Sequence, residues 1–185
     1  MKLFRSICST ILVLSSALLS IQNSNAHLMV AQQGTINIEG QNAYVVVSVP
    51  ISVFKEIDTN QDHQVSMIEF NHSRNVVTQK IKQRFMLVDE DKSARLIDIL
   101  LSPVQDHHSK VDYFEQLTVM GKFDVSNFSN KFKLTTDLFG FKSNEKTLKI
   151  TLLRKKDQFK QVVLLTSDSP TAEFVLTAQS VEDKN

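Results

Sequence analysis

Asp58, Asn60 and Asp62 carry side-chain oxygens on alternate residues, and Gln64, Ser66 and Glu69 continue the series over a twelve-residue stretch. Alternating acids and amides closed by a carboxylate are poor core formers but good ligands for a hard cation. Such an ion takes about six to eight oxygens at roughly 2.3–2.6 Å. The stretch has a metal-free alternative. Ser66-Met67-Ile68-Glu69 has the S-x-x-E form of a capping box, in which serine and glutamate satisfy the first free N–H groups of a helix. On that view Asp58 to Gln64 is an Asx-rich turn.

The run Asp58-Thr59-Asn60-Gln61-Asp62-His63-Gln64-Val65-Ser66-Met67-Ile68-Glu69 resembles the EF-hand family. The resemblance implies Ca²⁺ as the ion. Asp58, Asn60 and Asp62 each give a side-chain oxygen, Gln64 its backbone carbonyl, Ser66 an oxygen through water, and Glu69 two oxygens. Val65 fits the hydrophobic eighth position. The sixth position departs from the family, with His63 where glycine normally provides positive φ. A side chain there costs about 1–2 kcal/mol, which bears on affinity.

A second loop could start at Asp89-Glu90-Asp91, but its twelfth position is Leu100 and its sixth Ala94, so a hairpin turn is expected. A lone loop has no sister strand for Val65, so its backbone must lean on the rest of the fold.

The elements around the loop read as β-structure with one helical interruption. Thr35–Glu39 and Ala43–Val49 alternate or are β-branched around a Gly40-Gln41-Asn42 turn, and Pro50 stops the second run. Further strands are expected at Phe85–Val88, Arg95–Leu101, Tyr113–Val125, Lys131–Phe139, Leu148–Leu153, Phe159–Leu165 and Thr171–Leu176. Ser102-Pro103 should end the run Arg95–Leu101, and Arg154-Lys155-Lys156 reads as a solvated hairpin turn. Residues 51–84 are the exception. Ser52–Ile57 suits one or two helical turns, and Ser66 to about Arg84 a longer helix whose face carries Phe70, Val77 and Ile81. The expected fold is mostly β, an antiparallel β-sandwich over residues 27–177 with a helix–loop–helix inserted at about 51–84.

Residues 1–26 read as a signal peptide. Lys2 and Arg5 precede an apolar stretch, and Ser24-Asn25-Ala26 is a small-x-small cleavage site. Cys8 lies inside it, so a mature chain from His27 has no thiol and no disulfide. Residues 178–185 form a polar tail. The expectation is a periplasmic or secreted protein with no membrane span. The order of these parts is similar to that of small exported EF-hand proteins of Gram-negative bacteria. Removing Lys2 and Arg5 leaves 19 basic and 20 acidic residues, a balance that does not suit nucleic acid.

Nothing points to catalysis. The four glycines form neither a phosphate loop nor a nucleophile elbow. The expected function is therefore Ca²⁺ binding in a structural or interaction role, with an extracytoplasmic protein as the further partner. Two rivals come from other classes. A mature N-terminal His27 offers its amine and imidazole to copper, and His107 or His108 could add a nitrogen, as in a periplasmic copper carrier or a copper oxygenase. A metal-independent sandwich could instead bind a partner through an edge strand.

Overall fold

The computed structural model describes residues 30–90, 92–105 and 113–176. Signal, tail, His27, His107 and His108 all lie outside them. The described chain is mostly β, in two sheets with one long α-helix. Strands β1 (Gln33–Glu39), β2 (Asn42–Pro50), β5 (Ile97–Gln105), β6 (Phe114–Asp124), β8 (Thr147–Arg154) and β9 (Phe159–Thr166) form the larger sheet, in the order β5-β6-β2-β1-β8-β9. Strands β3 (Phe85–Asp89), β4 (Lys92–Arg95), β7 (Lys131–Thr136) and β10 (Thr171–Val175) form the smaller, in the order β10-β7-β3-β4.

Period-two alternation decides which side of each strand is buried. On β1, Ile36 and Ile38 face inward, and the register sets Ile36 beside Val45 and Ile38 beside Ala43 of β2. Gly40 turns that hairpin at φ +58, where a Cβ would be strained. One buried cluster draws on both sheets and the helix. Phe85 of the smaller sheet stacks on Phe123 of the larger at 5.9 Å, and Phe70 of the helix meets Phe114 edge-on at 6.0 Å. Truncating such a phenylalanine to alanine costs about 3–5 kcal/mol.

Residues 51–84 are helical, as the sequence suggests, but unequally so. Ile51–Ile57 is a 3₁₀ segment with a kink at Phe54 (φ −107°, ψ 43°). Met67–Arg84 is a full α-helix capped by Ser66, and Phe70, Val77 and Ile81 form its buried face. No described helix is long and apolar enough to cross a membrane.

Four expectations need correction. The sheets are not wholly antiparallel, because β1 pairs in parallel with β8, Ile36 beside Leu152. A parallel pair needs a long crossover, and here most of the domain lies between the two strands. Pro103 does not end β5, which runs on to Gln105. That strand is at a sheet edge, where proline's missing N–H costs no ladder bond. The run Lys131–Phe139 stops as a strand at Thr136, whose hydroxyl then accepts the Leu138 N–H. Finally, the single strand expected at Arg95–Leu101 is two, because Lys92–Arg95 forms β4 and pairs back on β3 while β5 starts afresh at Ile97.

Candidate metal centre

The loop Asp58–Glu69 is clamped at its ends by burial. Ile57 and Val65 are nearly inaccessible, and Phe70 is fully buried just beyond Glu69. Val65 finds the partner that a lone loop lacks. Its carbonyl accepts the Phe114 N–H at 3.0 Å, and Ser66 forms an antiparallel bridge with Tyr113. The start of β6 thus supports the loop backbone.

Between these anchors the acids and amides hold a tight coil. The Asp58 Oδ2 accepts the His63 N–H at 2.9 Å, Asn60 Oδ1 the Asp62 N–H at 3.0 Å, and Asp62 Oδ1 the Gln64 N–H at 2.9 Å. The coil requires positive φ at Gln61 (61°) and His63 (65°). The value at His63 is what its place at the glycine position predicts. The second, at Gln61, has no signal in the residue type, since glutamine is not among the types enriched there.

One oxygen stands apart. Asp58 Oδ1 is buried and accepts no hydrogen bond. A buried carboxylate oxygen without a donor costs free energy comparable to a lost charged hydrogen bond, and a cation removes that cost. Asp62 is less isolated. Its Oδ2 accepts from the Asn60 amide at 3.0 Å and from the Tyr113 hydroxyl at 3.2 Å. Tyr113 has no metal-ligand signature, and nothing in the sequence marks it as a loop partner.

Glu69 serves the metal-free alternative. Its Oε2 accepts the Ser66 N–H at 2.9 Å and the Ser66 hydroxyl at 2.8 Å, while Ser66 Oγ accepts the Glu69 N–H, which completes the capping box. Oε1 accepts the N–H and hydroxyl of Thr59 at 2.9 and 3.0 Å. The Ser66 backbone bond, then the Ser66 hydroxyl and the Thr59 donors, hold this carboxyl down at about 2, against an ordinary 4.5, although burial pushes it up. With Glu69 drawn toward Ser66 and Thr59, no three His, Cys, Asp or Glu side chains among the described residues are gathered closely enough to hold a metal. Asp58, Asn60 and Asp62 each turn an oxygen onto the loop backbone, whereas Glu69 is committed to the helix cap.

Asp89, the start of the weaker loop, lies on a hairpin. It is buried, and both its oxygens accept from Ser129, one from the backbone N–H and one from the hydroxyl at 2.9 Å. Both its oxygens serve this link between the hairpin and the β6–β7 connection.

No protein-family model matches the chain, and no curated protein matches it.

Proposed function

We propose that this protein binds one Ca²⁺ in the loop Asp58–Glu69, with the ion fastening an EF-hand-like insertion to a sandwich-like pair of sheets. The observation that carries this reading is the buried, donorless Asp58 Oδ1 inside a coil of hard oxygens. The positive φ at His63 supports it, because the backbone follows the glycine-type turn despite a side chain that resists it. Asp58, Asn60, Asp62, the Gln64 carbonyl and Glu69 would hold the ion, with Ser66 acting through water. When bound, it supplies charge neutralisation and a cross-link; no reaction is implied.

Affinity should lie at the weak end for such loops. Recruiting Glu69 takes carboxylate oxygens from Ser66 and Thr59, and hydrogen bonds to charged groups contribute about 1.5–3 kcal/mol each. A Kd of about 10⁻⁴–10⁻³ M suits an extracytoplasmic module bathed in calcium. At ~1 mM free ion and a Kd of ~0.1 mM, binding adds about 1.4 kcal/mol to stability. We place the mature protein outside the cytoplasm, starting at His27. Mass spectrometry of the N-terminus of protein from the host's extracytoplasmic fraction tests that, and an intact Met1 would refute it.

Calorimetry on the chelator-treated chain tests the ion. One Ca²⁺ should bind, with Mg²⁺ weaker because it demands stricter octahedral geometry. No heat and no thermal shift at 10 mM Ca²⁺, about ten times the weakest Kd expected, would end the proposal.

A further inference from the structure

A cavity of about 490 Å³ opens where the chain crosses from β6 to β7, between the two sheets. Its apolar lining is Ile38 from β1, Phe132 from β7, Val125 and Phe128 from the crossing and Leu176 just after β10, beside polar groups such as Gln41 and Ser129. Phe128 and Phe132 pack edge-on at 6.0 Å. Its cationic lining is Arg154-Lys155-Lys156, the cluster whose sequence reads as a solvated turn. That reading holds for the lysines and fails for the arginine.

Arg154 is 8% exposed. Its Nε donates to both oxygens of Asp157 at 3.0 and 3.1 Å, and Nη2 donates to Asp157 and to the Leu176 carbonyl. The guanidinium also lies 5.8 Å from the Phe159 ring centre. Among the described residues no acceptor engages Nη1. A guanidinium fixed this way loses little freedom when it takes one more charged acceptor. Lys155 and Lys156 are exposed and form no ion pair among the described residues. Asp157 balances Arg154, so two cations face a single lining acid, Glu39.

Apolar and cationic groups lining one cavity, in a volume within the usual ligand range of about 300–1,000 Å³, have a definite complement. We propose that this cleft binds an anionic amphiphile, with its alkyl chain on Ile38, Phe128 and Phe132 and its carboxylate or phosphate head between Arg154 Nη1 and the two lysines. The head would gain charge-assisted hydrogen bonds and the chain would leave water. The cleft shares no lining residue with the metal loop, so the site is independent of calcium.

Dansyl-labelled undecanoate is a suitable probe, titrated by fluorescence into the full chain in chelator. It should bind at one site, and its methyl ester, which lacks the charge, about tenfold or more weaker. The double variant Lys155→Glu/Lys156→Glu leaves the core untouched and should weaken the acid about tenfold while sparing the ester. Phe128→Ala should weaken both. Displacement by laurate assigns the head to a free fatty acid, and displacement by lysophosphatidylglycerol alone assigns it to a lipid phosphate. Equal affinity for acid and ester, no change in the double variant, or displacement by a glutamate-rich peptide with no alkyl chain would overturn the proposal.

Discussion

Two acid-rich turns, at Asp58 and at Asp89, begin with similar residues and reach opposite electrostatic ends. At Asp89 both carboxylate oxygens find donors on one residue, Ser129, and the charge is spent on joining β3 to the β6–β7 connection. At Asp58 one oxygen takes the His63 N–H and the other is sealed away with none. The difference lies in the residues just after the first acid. Asn60 and Asp62 turn the Asp58 loop back on itself by accepting backbone N–H groups two residues on. The chain after Asp89 re-enters a strand within three residues, Asp89 pairing with Lys92, and never makes a cup. A buried acid therefore signals an ion only where local donors have been used up and an oxygen remains.

The widest separation of the two turns should come from the pair Glu69→Gln and Asp89→Asn. Glutamine keeps the capping-box geometry and removes the charge. Calcium affinity should fall about 100-fold while the helix remains, because in the proposed site this residue would supply two of the oxygens. Asp89→Asn should leave affinity unchanged and cost about 1–3 kcal/mol of stability, by weakening a buried hydrogen-bonded acceptor. Calorimetry and thermal unfolding of both variants measure this. Equal calcium affinity in Glu69→Gln and wild type would sink the assignment.

Asp58→Asn sharpens the same point by separating two readouts. The amide oxygen can still accept the His63 N–H, so the coil persists. Calcium affinity should drop about tenfold or more, through loss of a charged ligand. In chelator the variant should stay within about 1 kcal/mol of wild type, because it gives up a charge but sets an amide N–H where the donorless oxygen sat. An unchanged calcium affinity would remove Asp58 from the ion.

Acid titration separates the cap from the cup. The folded pKa of Glu69 is depressed to about 2 from an ordinary 4.5. Its contribution to stability is therefore fully present above the ordinary value and disappears as pH falls from about 4.5 toward 2. In chelator, wild type should lose stability across that window, and Glu69→Gln should lose less. Parallel pH profiles would show that the Ser66 and Thr59 bonds do not matter in solution.

Much of this contrast is legible in the chain, and the exceptions have a common cause. The helix start at Ser66 and its buried face are local patterns, and they reappear in the structure residue for residue. Strand alternation is local too, and β1, β2, β8 and β9 fall close to where it puts them. What sequence withholds is pairing at a distance. The parallel β1–β8 ladder, the Tyr113 hydroxyl on Asp62 and the Leu176 carbonyl that helps bury Arg154 all join residues whose types carry no mark of each other. Glu69 is a different case. Its cap role is written in the sequence as S-x-x-E and is seen in the structure; the ligand role is written there too, and under the proposal the choice rests on an ion competing with Ser66 and Thr59.

The smallest effect tests the backbone alone. His63 at φ 65° and Glu90 at φ 49° are non-glycine residues in left-handed turns, one in each acid-rich region. Replacing either with glycine relieves about 1–2 kcal/mol of steric strain. Glycine also loosens the unfolded chain, which takes back about 0.4–1 kcal/mol. The net gain in each turn should lie between about zero and 1.6 kcal/mol, yet it should appear in different measurements. Glu90→Gly should raise the melting temperature slightly and leave calcium affinity alone, because its hairpin is formed whether or not an ion is present. His63→Gly should tighten calcium binding a few-fold at most, since the ion is what rewards the closed coil. His63 also lines a cleft with Lys55, Tyr113 and Phe141 beside the loop, so its imidazole has neighbours that glycine would lose. A fall in calcium affinity on His63→Gly, with Glu90→Gly behaving as expected, would show that these side-chain contacts outweigh the strain and that the loop is docked through its histidine.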